Sequence, residues 1–351
     1  TWQALKGSNT FNFNGGIFSS SSTTLNISTG LLISFLVKSG GAIFDIPGGY
    51  ANTFSPNLIT DATSTGGGFT KQGAGTLTFG GTGSTYTGQC RILEGVLSVS
   101  ALNNNSANGV FGNNTSAIIL GSSGKTATLQ YAPGGGASAS TNKNLTIPSG
   151  ATGILDVGNQ IYWSGIINGS GSLIKTGANI LNLYSNTFSG SFALNAGTLI
   201  VNGNSAFGTG IVNLSGGQIR SGTTSSISIN NSISVNSDTT FPNLTSEKSL
   251  TFSGPVTLVG GSRTLTSNIG ASVTTEALII SGSIGDSGNG YGLIRAAASS
   301  NAILILSGNN TYTGNTTLNG GLTRIKYLPI GEIRFGGGML QFDSEITTDL
   351  S

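Results

Sequence analysis

The sequence predicts an all-β chain wound as a parallel β-helix, and three observations carry that prediction. Apolar residues alternate with small polar ones in runs of about 4–6 residues, the period of a strand with one buried face. Turn-forming pairs such as Gly-Gly, Asn-Gly and Ser-Gly interrupt the runs every few residues. One motif recurs three times with the same internal spacing, the mark of a repeat architecture.

Composition narrows the class. The chain has 351 residues, 36% of them hydrophobic, which is ample for a core. Charged residues make up 7%, against roughly 25% in an average soluble domain. A disordered chain would carry more charge or proline and fewer β-branched residues, and only 7 prolines stand against 57 glycines. No window places apolar residues at helical spacing between Glu and Lys. Domains of about 100–150 residues would predict two or three here. A repeat chain grows in one dimension instead, so residues 1–351 are read as a single continuous β-helix domain.

Charge and apolar runs exclude several partners. Net charge is +2, with 14 Lys and Arg spread singly from Lys6 to Arg334. Without a basic stripe, nucleic-acid binding is not expected. The longest apolar run, Leu31-Leu32-Ile33-Ser34-Phe35-Leu36-Val37, falls far short of the about 20 residues a membrane-spanning helix needs. No charged segment followed by an apolar one opens the chain, so no signal peptide is read, and Thr1 in place of Met leads to the expectation of a processed or trimmed chain.

The repeat is read in order along the chain. The first copy runs Phe69-Thr70-Lys71-Gln72-Gly73-Ala74-Gly75-Thr76-Leu77-Thr78-Phe79, then Thr85-Tyr86-Thr87-Gly88, then Gly95-Val96-Leu97. The second runs Leu173-Ile174-Lys175-Thr176-Gly177-Ala178-Asn179-Ile180-Leu181-Asn182-Leu183, then Thr187-Phe188-Ser189-Gly190, then Gly197-Thr198-Leu199. The third has Leu293-Ile294-Arg295, Ile303-Leu304-Ile305-Leu306, Thr311-Tyr312-Thr313-Gly314 and Gly321-Leu322-Thr323. From the first glycine to the later one is seven residues in every copy (88 to 95, 190 to 197, 314 to 321). Four residues past that first glycine stand Ile92, Leu194 and Leu318, predicted to point inward. Weaker echoes lie at Gly210–Arg220, Ile227–Val235 and Gly337–Phe342.

Hairpin-linked strands of a sandwich, about 8–12 residues apart, are the alternative this texture permits. Stacked rungs explain more. A rung of three short strands takes roughly 20–25 residues, which gives some 14–17 rungs. Aliphatic residues then pile on aliphatic residues at about 25 cal/mol per Å² buried. Outward Thr, Ser and Asn form ladders free of the repulsion that stacked Lys or Glu would suffer. Scarce charge is thus a consequence of the repeat.

These motifs resemble the autotransporter-associated β-strand repeat, also called the passenger-associated transport repeat. Residues 68–99 carry the resemblance most fully, and residues 171–203 follow with Asn179 in place of a glycine and Phe188 in place of the tyrosine. Residues 292–325 match in their second half. The resemblance implies a right-handed parallel β-helix in large, secreted, bacterial cell-surface proteins, often adhesins. It implies no catalytic residues and no cofactor. Such proteins end in a membrane β-barrel, which does not follow Asp349-Leu350-Ser351, so a piece of something longer or an end-stacking unit is expected.

Candidate chemistry is thin. With no histidine in the sequence, Ser-His-Asp and Cys-His catalysis and His-ligated metals are excluded. Gly121-Ser122-Ser123-Gly124-Lys125-Thr126 resembles the end of a P-loop but lacks the first glycine, Ile119 standing there. Ser172-Leu173-Ile174-Lys175 and Lys175-Thr176-Gly177 imitate penicillin-recognising motifs yet share one lysine. Gly80-Gly81-Thr82-Gly83 lacks the aspartate of a calcium-binding nonapeptide. Asp45, Asp61, Glu94 and Asp156 are candidates for a stacked carboxylate pair, with single solvated charges the plainer reading; Asp343, Glu345 and Asp349 read as an exposed terminal rung. Cys90 shares the parity of Ile92 and reads as a small core residue. Glycosylation sequons such as Asn26, Asn114, Asn144, Asn213, Asn243 and Asn315 arise by chance in this composition. Tyr162 and Trp163, if outward, are candidates for stacking on sugars, with core or rung-edge packing the plainer reading.

The functional reading is a non-catalytic, extracellular structural or adhesive repeat protein. Its partners are other copies joined end to end into a fibre, or surface glycans on host or neighbouring cells. A polysaccharide-degrading, tailspike-like β-helix and a passive carbohydrate-binding module are the alternatives. No catalytic, cofactor or metal residues are assigned.

Overall fold

The computed structural model describes residues 9–30, 33–222, 225–242, 248–271 and 275–342. Leu31-Leu32, Asn243 and the cluster Asp343, Glu345, Asp349 lie outside the described residues. Every described element is a short strand, and no helix occurs among them. All strand pairings are parallel, which rules out hairpin-linked sheets. The strands make a β-solenoid of about 13 turns. That is fewer than the 14–17 read from rung length, because several rungs carry long loops.

The chain divides into two compact units. The first holds residues 1–181 and 188–190, the second residues 182–187 and 191–351. In the first unit, one sheet stacks Ile17–Ser19, Ala42–Asp45, Phe69–Gln72, Cys90–Ile92, Ile118–Leu120, Leu145–Ile147 and Ile167–Gly169. A neighbouring sheet stacks Asn26–Ile27, Ala51–Phe54, Thr76–Phe79, Gly95–Val99, Thr126–Tyr131, Thr152–Val157 and Ser172–Thr176. A third side is built from Asn9–Phe13, Ile33–Val37 and Leu58–Thr60. Residues 100–117 run as a loop after Gly95–Val99, and the rungs beyond it carry Ala139–Thr141, Ile161–Trp163 and Ile180–Leu183 in a further sheet.

Register puts like on like. Leu77, Leu97, Leu129 and Leu155 pair successively down one column. Phe54, Phe79, Val99, Tyr131 and Val157 form the next. Each residue in these columns is almost wholly buried, worth about 1.5–3 kcal/mol apiece. In the first rungs the core is aromatic. Phe35 and Phe54 lie 4.9 Å apart between centroids, Phe54 and Phe79 6.2 Å, Phe69 and Phe79 5.1 Å, spacings that favour tilted and offset rings.

The second unit repeats the scheme. Ile227–Ile229, Leu250–Phe252, Leu278–Ile280, Ile303–Leu306, Leu322–Ile325 and Met339–Phe342 form one sheet. Its inner columns run Ile227, Leu250, Leu278, Leu304 and Ile229, Phe252, Ile280, Leu306. Ile92, Leu194 and Leu318 are inward and buried as expected, at 0%, 0% and 1% exposure. Cys90 is buried beside Ile92, and burial pushes its thiol up to about 12, so it is inert. The structure divides the pair Tyr162 and Trp163, and only Tyr162 remains a candidate for stacking on sugars. Trp163 points into the core at 1% exposure, and Tyr162 alone faces outward at 39%, because neighbours on a strand take opposite sides.

Candidate functional site

Each copy of the repeat is a cassette with a buried cation near its first turn. Lys71 alternates inward with Phe69 on Phe69–Gln72 and is fully buried. Its Nζ donates to the carbonyls of Gln72 at 2.9 Å, Gly73 at 2.6 Å and, one rung on, Glu94 at 3.1 Å. Lys175 repeats this in the second copy, donating to Thr176 O at 2.9 Å and Gly177 O at 2.8 Å. In the third copy the guanidinium of buried Arg295 donates to the carbonyls of Ala296 and Ala302. Gly73 and Gly177 both have φ of +75°, a turn closed to most side chains. It leaves carbonyl oxygens facing the interior, and an ammonium carries three donors to meet them. Burial lowers both Lys71 and Lys175 to about 8, although Asp45 and Glu94 beside Lys71, and Asp156 beside Lys175, act in the opposite direction.

Glycine in the T-Y/F-T/S-G motif is set by backbone contact. A Cβ on Gly88 would stand 2.4 Å from Gly66 O, one on Gly190 1.8 Å from Gly171 O, and one on Gly314 2.5 Å from Gly292 N. The later glycines, Gly95, Gly197 and Gly321, have φ of +70°, +71° and +70°. The seven-residue spacing therefore joins a close approach between rungs to a left-handed turn.

The aromatic of the motif fills the core, and its hydroxyl depends on the next loop. Tyr86 Oη donates to Val110 O at 2.8 Å. Loop 100–117 is organised around Asn103, whose amide nitrogen donates to Ala107 O at 2.9 Å and Gly112 O at 3.1 Å, while its oxygen accepts from Phe111 N at 2.9 Å. Lys143, buried in the rung beyond, donates to Asn114 O and Asn114 Oδ1 and pins the loop's end.

Two carboxylates hold the loops that precede the first and third motifs. Asp286 Oδ2 accepts from the hydroxyl of Thr313 at 2.8 Å and the amide of Tyr291 at 3.0 Å, and Oδ1 from Gly288 N at 3.0 Å. Asp61 accepts from Thr63 N and Oγ1 and pairs with Lys38 at 2.9 Å. The second copy, where Ser189 replaces the threonine, has no such aspartate; Ser189 N bonds Gly169 O at 2.9 Å directly. Asp61 is held at about 2, first by the Thr63 hydroxyl and then by Lys38. Asp286 is also held at about 2: burial raises it, but the hydroxyl of Thr313 and the amides of Gly288, Thr313 and Tyr291 outweigh that. Both values lie below the ordinary 3.8, so the stabilisation is present above about pH 4 and lost as pH falls towards 2. Asp286→Ala is expected to cost about 2 kcal/mol in urea unfolding at pH 7. The gap to the unaltered chain should close in melts at pH 2; an equal gap at both pH values would contradict this account.

Of the acidic candidates, Asp61, Glu94 and Asp156 have side-chain partners. Glu94 pairs with Lys125 at 3.0 Å, and Asp156 accepts from Gln130 Nε2 at 2.8 Å. Asp45 sits level with Gln72 in the next rung. Among the described residues, no group of three or more His, Cys, Asp or Glu is placed to hold a metal ion. The P-loop-like segment is a turn in which Ser122 donates to Leu93 O at 3.1 Å. In the nonapeptide-like segment, buried Ser84 donates to Gly81 O at 2.7 Å. Several sequon asparagines are structural: Asn114 donates to Gly88 O at 2.8 Å, and Asn144 and Asn315 accept from Ile166 N and Glu332 N.

What faces outward is a ladder. In the first unit, Asn26, Thr53, Thr78, Ser98, Gln130, Asp156 and Thr176 lie in one row across seven strands, with Ser98 largely covered by its neighbours. Beside it runs a row of Ala51, Thr76, Val96, Thr128, Ile154 and Ile174. Strands pair about 4.8 Å apart, so the rows make a strip of hydrogen-bonding groups edged by methyls.

Comparison with known proteins agrees with the cassette. The passenger-associated-transport-repeat family matches at residues 69–99, 173–201 and 301–324. The third match starts beyond Arg295, at the part of that copy whose spacing is regular. A curated relative, the adhesin BmaC autotransporter of Brucella suis biovar 1 (strain 1330), is 33% identical over 170 residues. The alignment covers 46% of this chain and 5% of that protein's length. No solved structure matches the chain.

Proposed function

We propose that this chain, which carries passenger-associated transport repeats, is a segment of an autotransporter passenger that acts outside the cell as a non-catalytic adhesive surface. The observation that carries the reading is the outward strip of Thr, Ser, Asn and Gln rows on a stack whose buried lysines serve the backbone. The likeness to an adhesin supports it. Its partners are glycans or proteins of host or neighbouring cells, and other copies of the same chain. The reading extends to the domain plan: the two units are segments of one uninterrupted repeat domain. Two stable fragments from limited proteolysis, parting near residues 182–190, would count against that plan.

Beads coated with the purified chain should bind cells or a glycan array saturably and release no new reducing ends from a polysaccharide panel. Replacing the row residues Thr78 and Gln130 by Lys should weaken binding at least several-fold with the melting curve unchanged. Turnover of a polysaccharide, or binding indifferent to those changes and to every other change in the strip, would overturn the reading.

A further inference from the structure

Near the last described rungs, the second unit holds hydroxyls among buried aliphatic side chains. Thr323 stands in an inward column between Leu304 and Leu340 and is 1% exposed. Thr316 stands in the column between Leu293 and Ile333. Tyr312, the aromatic of the third motif, is buried beside them. Tyr312 Oη and Thr316 Oγ1 are 2.5 Å apart. Thr323 Oγ1 is buried with no hydrogen-bond partner among the described residues. All three side chains line one small cavity, about 10 Å³ in the volume open to the centre of a water.

The other two copies show what is unusual here. At the position of Thr323 they have Leu97 and Leu199; at that of Thr316, Cys90 and Phe192; at that of Tyr312, Tyr86 and Phe188. The second copy is apolar at all three. In the first, the phenol reaches Val110 O in the following loop. Only the third brings three hydroxyls together. A buried hydroxyl without a partner costs about 1–3 kcal/mol, and a cavity of this size with two to four polar neighbours is what a single water requires.

We propose that the second unit binds one internal water, held by Thr323 Oγ1 together with the Tyr312–Thr316 hydroxyl pair. The water completes a polar network where the second copy packs apolar side chains and the first uses the Val110 carbonyl. This rung is thereby held by exchangeable hydrogen bonds.

Magnetic relaxation dispersion of water ²H and ¹⁷O on the full chain counts long-lived internal waters. Thr323→Val keeps the shape and removes the hydroxyl; it should lose the equivalent of one such water, while Thr323→Ser keeps it. An unchanged dispersion amplitude in Thr323→Val overturns the proposal. Should that variant fail to fold, atomic-resolution density for the unaltered chain decides: a water within about 3 Å of Thr323 Oγ1 supports the site, and a cavity without one overturns it.

Discussion

Gly190→Ala is expected to disrupt the second repeat more than any surface change in this chain. The added methyl would meet the carbonyl oxygen of Gly171 at 1.8 Å. That neighbour is backbone, fixed by the bond from Gly171 N to Ile147 O at 3.1 Å and by the bond from Ser189 N to Gly169 O at 2.9 Å. No rotamer change relieves the clash, so two rungs must move apart or break pairing. A loss of about 4 kcal/mol or more is expected, the range reserved for overpacking and backbone strain. Gly49→Ala serves as a contrast. Nothing lies within 4 Å of its Cβ position, but φ is +82°, so only the left-handed penalty of about 1–2 kcal/mol applies. Urea unfolding of the two variants should separate these values; equal losses would refute the close-approach argument.

Lys71→Met should produce the second large loss. Methionine keeps the stem's apolar packing and removes the donors to Gln72, Gly73 and Glu94. Interior carbonyls left without partners cost about 1–3 kcal/mol each when no relaxation reaches them, and about 3 kcal/mol in total is expected after partial relaxation. The effect has a pH signature. Burial holds Lys71 at about 8, against 10.5 for the free side chain. Between those values the unfolded chain binds more protons than the folded one, so this lysine's contribution to stability rises with pH across that window. The difference between the unaltered chain and Lys71→Met should therefore widen from pH 8 to pH 10. A difference that narrows would show that the folded state holds the proton more tightly.

Much of this architecture was legible because period two and stacking act on every residue alike. Leu77, Leu97 and the aliphatics four residues past each motif glycine could be assigned inward from parity alone. The buried cations were not foreseen, though parity held the signal: Lys71 shares the side of Phe69, Lys175 that of Leu173, and Arg295 that of Leu293. The general rule that charge lies outside obscured it, because the carbonyls that receive each cation appear only once the turn is folded. Core packing, the plainer reading for adjacent Tyr162 and Trp163, holds for Trp163 alone, because neighbours on a strand take opposite sides. Loop 100–117, with its Asn103 hub, has no periodicity to read; its order comes from contacts with Tyr86 and Lys143, distant in sequence. Rung number was overcounted for the same cause.

The columns also say how such a chain can change over generations. Leu77, Leu97, Leu129 and Leu155 are interchangeable as neighbours, although 20, 32 and 26 residues separate them in turn. Recombination that removed or duplicated a whole turn would bring one leucine against another and find the same fit. Length can thus drift in turn-sized steps without inventing a new interior, whereas a shift of a single residue would turn every column inside out.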